Sequence, residues 1–297
     1  MKSGIVVLKK EEGITSQGAV NRVKRLFGSS KAGHTGTLDP LATGVLPVLI
    51  GRAVKASEYM LASDKYYRAT LKLGLTTDTE DITGEVLTEC ADVPDEKTVL
   101  AAVKKFEGKI MQTPPMYSAL KVGGRKLCDI ARAGGEIERE AREITVHSIK
   151  AERITTDTYF LDVHCSKGTY IRTLCADIGA ALGCGGVMAT LERTRASVFT
   201  LEDAHTLSEI EALTEAERDA LIIPTERVFD CYERITLEPF FGRLARCGVE
   251  IYLKKIGKQI PVGTRVTLCD ELGFFALAEV REFEGGAAIK PIKQFDV

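Results

Sequence analysis

The densest group of residues capable of chemistry lies at positions 33–44, which read GHTGTLDPLATG. Three glycines, three threonines and a proline exclude a regular helix here, and an ordered loop of this length usually serves a site. Asp39 precedes a proline, which favours an extended backbone at the aspartate. Its carboxylate could act as a nucleophile or as a base. The alternative is a turn-forming aspartate, which is the common role of an isolated aspartate before proline.

A phosphate-binding loop is a second interpretation of this region. Gly28 and Gly33 have the spacing of the GxxxxGK[ST] pattern, but His34 stands where that pattern requires lysine. The missing lysine is the residue that reaches the β- and γ-phosphates. The apolar spacing before Gly28 also predicts a helix, whereas a phosphate-binding loop follows a strand. We therefore do not expect this loop to bind a nucleotide phosphate.

The loop and several later segments resemble one known family. Residues 32–48, AGHTGTLDPLATGVLPV, are similar to the signature of the TruB family, the bacterial tRNA pseudouridine synthases that act on the T-loop. Further similar segments follow in the family's order at 63–68, 73–81, 112–121, 165–172 and 191–194. The resemblance covers about residues 4–235 strongly. One departure is KEEGITS at 10–16, which lacks the proline that usually opens this motif in the family.

The resemblance implies both a reaction and its catalytic residues. The reaction converts a uridine in the T-loop, conventionally position 55, to pseudouridine by breaking the ribose–N1 bond and joining the ribose to C5. By resemblance Asp39 is the catalyst, Arg172 is its ion-pair partner, and Tyr67 stacks on the base and assists loss of the C5 proton. The sequence leaves open whether Asp39 attacks the sugar or removes a ribose proton.

Substrate-binding roles are implied for five further residues. His34 would stack in the RNA in the space left by the target uridine, which must leave its stack to be reached. Leu191 would pack on the other face of the uracil, and Tyr170 would support the catalytic ion pair. Lys55 and Lys121 would contact phosphates. Taken singly, residues of these types more often belong to the core or to a solvated surface.

The alternative function is a non-catalytic RNA-binding or tRNA-folding module on the same scaffold. Such a module need not retain Asp39, Tyr67 and Arg172, all of which are present. We therefore expect an isomerase whose partner is the T-arm stem-loop of tRNA. We expect no metal and no organic cofactor, because the sequence contains no ligand cluster or nucleotide-binding motif. No obligate protein partner is evident.

Strand and helix signals alternate along the chain and would position these residues. Apolar runs at 5–8 and 45–50 predict strands, and Pro47 indicates an edge or a bulge in the second. Thr169 can cap a helix whose apolar residues recur over 171–182. Capping-box matches begin at Thr206 and Thr214. Beyond about residue 236 short β-favouring segments alternate with glycine-bearing turns.

These signals predict an α+β fold with two domains. Residues 1–235 would form the catalytic domain, a mixed and largely antiparallel sheet of the pseudouridine-synthase type with flanking helices. Residues 236–297 would form a small β-barrel that resembles the PUA-type RNA-binding domain. A chain of 297 residues is long enough for two such domains.

Composition and charge exclude several classes of protein. The chain is 44% hydrophobic and 28% charged, which is typical of globular proteins and not of disordered ones. Its net charge of −2 argues weakly against a nucleic-acid partner, but residues 1–60 carry 9 basic and 4 acidic residues. No apolar run reaches the length of a membrane span or of a signal-peptide core. Eight cysteines without a CxxC pair indicate reduced thiols, so we expect a cytoplasmic protein without disulfides or a zinc site.

Overall fold

Two sheets organise the chain, and each is built from a different part of the sequence. The structure is a computed structural model that describes residues 2–295. The strands are, in chain order, β1 Gly4–Lys10, β2 Ala32–His34, β3 Thr43–Ile50, β4 Lys65–Leu73, β5 Leu75–Thr77, β6 Val86–Glu89, β7 Gly108–Gln112, β8 Lys121–Val122, β9 Arg125–Lys126, β10 Arg142–Arg153, β11 Thr158–Cys165, β12 Gly186–Ala196, β13 Phe199–Thr200, β14 Glu233–Thr236, β15 Ile251–Tyr252, β16 Arg265–Asp270, β17 Gly273–Phe283 and β18 Gly286–Gln294. The helices are α1 Ser16–Leu26, α2 Ser57–Leu61, α3 Glu96–Lys104, α4 Leu127–Arg132, α5 Ile171–Leu182, α6 Leu207–Ala212, α7 Glu215–Ala220 and α8 Pro239–Arg246.

The first sheet has nine strands and forms the centre of the catalytic domain. Its path runs β1-β3-β12-β4-β11-β10-β7, with β2 paired to β3 and β13 paired to β12. Every pair is antiparallel except the short parallel contact between β12 and β3. The prediction of a mixed, largely antiparallel sheet with flanking helices is confirmed.

Strand β4 shows how sequence alternation positions side chains in this sheet. Its buried residues occur at every second position, beginning with Lys65, Tyr67 and Ala69. Because successive side chains of a strand point to opposite faces, Tyr66 and Tyr67 lie on opposite sides of the sheet. Strand β1 of the same sheet is buried on both faces, and Val6 and Val7 belong to two different apolar clusters. The sheet therefore separates two cores.

Two local predictions are wrong in detail. Helix α5 begins at Ile171 after an N-cap at Tyr170, and the hydroxyl of Thr169 instead donates to the Ser166 carbonyl oxygen at 3.0 Å. Pro47 is not on an outer strand of the sheet, because β3 has partners on both sides and Pro47 itself pairs with Val7 of β1. On its other side β3 pairs with β12 before Pro47 and with β2 after it. The proline therefore occupies a gap in the described pairing, where no backbone N–H is required.

The acidic segment of the chain forms short capped helices, as predicted. Thr206 and Thr214 each accept a hydrogen bond from the backbone N–H three residues later. The glutamate at that third position accepts in return from the backbone N–H of its threonine. Each capping box satisfies two backbone donors that a helix terminus would otherwise leave exposed.

The second sheet forms a separate C-terminal unit, a curled half-barrel. Its strand order is β14-β16-β17-β18-β15, and β14 begins at Glu233, before the predicted boundary at 236. The unit has its own apolar core and also packs on the catalytic domain, where Phe229 meets Phe295 with 5.2 Å between ring centroids. Among residues 2–295, no helix is long and apolar enough to cross a membrane.

Candidate active site

A cavity of about 240 Å³ opens where six segments of the N-terminal domain meet. The segments are the loop before β3, the end of α2, the strand β4, the loop at 118–119, the turn before α5 together with its first residues, and the strand β12. Five of the predicted site residues line this cavity: Asp39, Tyr67, Tyr170, Arg172 and Leu191. Residues more than 150 positions apart in the sequence thus share one wall.

An ion pair between Arg172 and Asp39 lies in the wall of the cavity. Arg172 Nε is 2.9 Å from Asp39 Oδ2. The Arg172 side chain is 6% exposed, whereas that of Asp39 is 35% exposed and open to the cavity. The guanidinium also donates to the carbonyl oxygens of Thr79 at 3.0 Å and Tyr117 at 2.6 Å. These bonds fix the guanidinium, so the carboxylate meets a cation in a set position.

The surroundings of Asp39 change its acidity. Burial raises the pKa of Asp39 above its ordinary value, and the Arg172 guanidinium opposes that rise. The negative charge of Asp81 adds to the rise. A carboxylate with a raised pKa is a stronger base than a free one, while its cationic partner favours the ionised form. The arrangement suits a carboxylate that must be ionised and reactive at once.

Asp81 is a buried carboxylate to which the sequence analysis assigned no role. Its Oδ1 accepts hydrogen bonds from the backbone N–H of Thr83 at 3.0 Å and from the hydroxyl of Thr79 at 2.9 Å. Its Oδ2 lies 3.8 Å from Nη1 of Arg172. Asp81 therefore orders the turn whose Thr79 carbonyl holds Arg172. The sequence shows this segment only as a polar turn.

Tyr67 forms part of the cavity wall beside a buried arginine. Tyr67 is 9% exposed, and burial raises the pKa of its phenol while the Arg193 guanidinium opposes that rise. Arg193 is 1% exposed and donates from Nε to the Val45 carbonyl oxygen at 2.8 Å and from Nη2 to the Gly36 carbonyl oxygen at 3.1 Å. Arg193 thus connects β12, the strand that carries Leu191, to the loop at residues 33–44. Residue type alone does not distinguish it from a surface arginine.

Two buried lysines hold the segments that border the cavity. Lys10 Nζ donates to the carbonyl oxygens of Pro40 at 3.2 Å and Ala42 at 2.6 Å, which fixes the loop just after Asp39. Lys65 Nζ donates to the Leu61 carbonyl oxygen at 2.9 Å. Burial lowers the pKa of both lysines to about 8. Lys10 therefore connects the opening strand, β1, to the loop at residues 33–44.

Three predicted substrate-binding residues do not line the cavity. His34 ends β2 and is half-buried, and its Nδ1 is buried without a hydrogen-bond partner among the described residues. Burial lowers the pKa of His34, so the neutral imidazole is favoured. Lys55 is exposed and its Nζ donates to the Gln294 carbonyl oxygen of the second domain at 3.0 Å. Lys121 is exposed on the β8–β9 hairpin. Their roles toward RNA stay predictions.

One group of side chains in residues 2–295 could hold a metal ion. Asp64, His147 and His164 each offer one ligand atom, and these atoms lie within 4.8 Å of one another. None of the three lines the cavity. No ligand spacing is visible in the sequence, because these residues lie on three separate segments.

Comparison with known proteins identifies the family. Residues 24–171 match the model of the TruB family pseudouridylate synthase N-terminal domain, and residues 172–230 match that of the tRNA pseudouridylate synthase B C-terminal domain. A protein of Clostridium perfringens named tRNA pseudouridine synthase B is 46% identical over 252 residues, covering 84% of this chain and 85% of its own. A protein of Alkaliphilus oremlandii with the same name is 42% identical over 283 residues, covering 94% of this chain and 93% of its own.

A solved structure extends the likeness to the whole fold. The chain is similar to one in the crystal structure of a Cbf5-Nop10-Gar1 complex, with a TM-score of 0.73 and 27% sequence identity. The match covers 99% of this chain and 85% of the other. The two domain matches and the two relatives point to the same family that the residues lining the cavity resemble. On these grounds the chain belongs to the TruB family of pseudouridylate synthases, which are isomerases.

Proposed function

We propose that the protein converts the uridine at position 55 of the tRNA T-loop to pseudouridine. The observation that carries the proposal is the 2.9 Å ion pair between Asp39 and the buried Arg172 in the wall of an enclosed cavity. The names of the relatives from Clostridium perfringens and Alkaliphilus oremlandii support tRNA as the substrate. The similarity of residues 32–48 to the family's signature supports the T-loop as the target.

The size of the cavity supports a mechanism in which the target base leaves its stack. A cavity of about 240 Å³ can enclose one nucleoside but not a folded stem-loop. Enzymes that act on a base within a stack extrude it into a pocket of this kind. His34 borders the catalytic loop outside the cavity, where its neutral ring would stack in the space that the uridine leaves. The T-arm would then remain on the surface while a single nucleotide enters.

Asp39 would begin the reaction once the nucleotide is bound. As a nucleophile its carboxylate would attack the ribose, and as a base it would remove a ribose proton. Both routes need the ionised form, which Arg172 favours in a site where burial opposes it. The bond from the ribose to N1 breaks and a bond to C5 forms. The atoms of the uridine are rearranged without a net change of oxidation state, so no external oxidant or reductant is required.

Tyr67 and Leu191 would hold the uracil and complete the rearrangement. Both side chains line the cavity, Tyr67 from β4 and Leu191 from β12. The two strands are adjacent, and Leu191 of β12 pairs with Ala69 of β4. An aromatic ring and an aliphatic side chain are suitable partners for the flat base. Tyr67 would also assist the loss of the C5 proton, whose charge is balanced by protonation at N1.

The C-terminal unit would bind RNA outside the active site. Within our division of the chain, residues 1–235 carry the chemistry and residues 236–297 contribute affinity for the T-arm. All residues that line the cavity belong to the first part. Lys55 lies at the junction, where its Nζ meets the backbone of β18. A phosphate that crosses this junction could contact both parts of the protein.

Replacing Asp39 with asparagine tests the proposal. Asp39→Asn keeps the size of the side chain but removes its charge, so it can neither attack the sugar nor act as a base. We expect single-turnover pseudouridine formation to fall at least ~10⁴-fold, equal to about 5.5 kcal/mol of transition-state stabilisation. The tRNA affinity should change much less, because many other contacts hold the RNA.

A matched control and a substrate variant make this test specific. Asp162→Asn removes an exposed carboxylate from β11 of the same sheet and should leave turnover unchanged. Pseudouridine-specific chemistry on a T-arm transcript should detect product only at position 55, and a transcript with cytidine there should give none. Residual turnover of Asp39→Asn within tenfold of the parent would end the assignment of Asp39. Product at another position would end the assignment of the target.

A further inference from the structure

A cluster of two histidines and an aspartate lies on the face of the first sheet opposite Tyr67. Asp64 Oδ2 is 3.2 Å from Nε2 of His147 and 3.5 Å from Nε2 of His164. The two imidazole rings are 4.5 Å apart between centroids. The side chains of Asp64, His147 and His164 are 46%, 36% and 24% exposed, so an ion from solvent can reach them.

The sheet holds both imidazoles in place. Tyr66 of β4 pairs with His164 of β11, and its ring stacks on the imidazole at 4.0 Å with an angle of 7° between the planes. His147 lies on β10 where the register with β11 shifts between Val146 and Ser148. A β-bulge of this kind re-aims a side chain, and both His147 and Ser148 are exposed here. Val146 and Cys165 pair and are both buried, so alternation places their neighbours His147 and His164 together on the opposite, outer face of the sheet.

We propose that Asp64, His147 and His164 bind a divalent transition-metal ion, with zinc as the typical occupant. Zinc bonds of 2.0–2.2 Å to nitrogen and oxygen place the donor atoms of a tetrahedral site about 3.3 Å apart. The two oxygen-to-nitrogen separations in the cluster, 3.2 and 3.5 Å, lie on either side of this value. Imidazole ligands favour zinc, copper and nickel over magnesium and calcium. Three protein ligands leave one position for water.

The position of the cluster defines what a bound ion would do. Asp64 directly precedes Lys65, whose side chain points to the opposite face and lines the cavity. An ion would tie the α2–β4 connection to β10 and β11 from outside. It would therefore stabilise the fold without touching the reacting atoms. The metal would be a structural ligand of this chain and not a participant in the isomerisation.

Titration of the full chain with zinc tests the proposal. Chelator-treated protein should bind one Zn²⁺ per chain by calorimetry, and Tm should rise with zinc concentration because the ion binds the native state. Mg²⁺ should give no such rise. His147→Asn and Asp64→Asn should each weaken zinc binding at least about tenfold. His205→Asn is the matched control, since this histidine lies outside the cluster, and it should bind zinc as the parent does.

Cysteine thiols are the main competing ligands, because Cys231 and Cys247 are exposed. Binding should survive thiol blocking, and Co²⁺ in place of zinc should give a visible spectrum without thiolate charge transfer. Turnover of the zinc-loaded and chelated proteins should agree within twofold. Absence of zinc binding would overturn the proposal, and so would parent-like affinity in His147→Asn and Asp64→Asn. Loss of all binding on thiol blocking would assign the metal to the cysteines instead.

Discussion

Consecutive tyrosines on β4 face opposite sides of the first sheet and meet different surroundings. Tyr67 is 9% exposed and lines the cavity, close to the buried Arg193. Tyr66 is half-buried and stacks on His164, and the Arg195 guanidinium carbon lies 5.4 Å from the centroid of its ring. Both faces therefore combine an aromatic ring with charged neighbours. The difference between them is enclosure.

Enclosure decides what the charges on each face can do. On the cavity face Arg172 and Arg193 are almost fully buried and bonded to backbone carbonyl oxygens. Burial raises the pKa values of Asp39 and Tyr67, and the two guanidinium groups, which act in a low dielectric and at fixed positions, oppose that rise. Asp64 and His147 of the outer face are open to solvent, which screens their charges, and His164 beside them is only half-buried. On β4, the inner face thus carries Tyr67, the proposed acid–base residue, and the outer face adjoins the cluster that we propose binds an ion.

Removal of the buried cation should have the largest effect on the cavity face. Arg172→Met leaves Asp39 and Asp81 without their shared cation and leaves two backbone carbonyl oxygens without a donor. We expect single-turnover pseudouridine formation to fall at least ~10³-fold, or about 4 kcal/mol, together with a lower Tm. Quenched single-turnover assays measure the loss of pseudouridine formation, and thermal melts measure the change in Tm.

An exposed arginine of β4, Arg68, provides the control for Arg172. Arg68→Met removes a side chain that is 54% exposed. Its ion pair is long, with Nη1 4.0 Å from Oε2 of Glu192. Its turnover and Tm should stay close to those of the parent, because exposed ion pairs contribute little. Equal losses in both variants would show that enclosure of the cation is not what matters.

The two tyrosines allow a direct test of the faces. Tyr67→Phe keeps the ring and removes the hydroxyl that would assist loss of the C5 proton, so we expect turnover to fall about 10²-fold with little change in tRNA affinity. Tyr66→Phe removes a hydroxyl from the outer face, and its turnover should stay within twofold of the parent. Single-turnover rates of both variants on one T-arm transcript settle the matter. A larger loss in Tyr66→Phe would reverse the assignment.

Lowering the pH should reduce the single-turnover rate by less than these substitutions do. Because the pKa of Asp39 is raised above its ordinary value, the carboxylate takes up a proton at a higher pH than a free aspartate does. Activity should therefore be full above this pKa and decline as pH falls through it. The single-turnover rate on a prefolded stem-loop, measured between about pH 4 and 7 while circular dichroism confirms the fold, should show the decline. A rate that stays constant to pH 4 would contradict it.

Local sequence determined much of the fold and the catalytic loop. The alternation of β4, the capping boxes at Thr206 and Thr214 and the glycine-rich loop around Asp39 are short-range patterns that the structure reproduces. Resemblance to the family then selected Asp39, Tyr67 and Arg172 from many residues of the same types. All three line one cavity. Patterns of this kind suffice where neighbouring residues alone specify the conformation.

Tertiary structure decided which distant residues serve the site. Lys10, Asp81 and Arg193 lie in segments compared with the family's motifs, but residue type and spacing assign them no role. They matter because strand pairing and burial bring their charges next to Asp39 or Tyr67. The pairing of β10 with β11 likewise brings His147 to His164 and Asp64. Sequence by itself indicated Asp39 as the candidate carboxylate and, by resemblance, Tyr67 as its neighbour in the site. The enclosure that changes their pKa values depends on long-range packing, which the order of residues along the chain does not reveal.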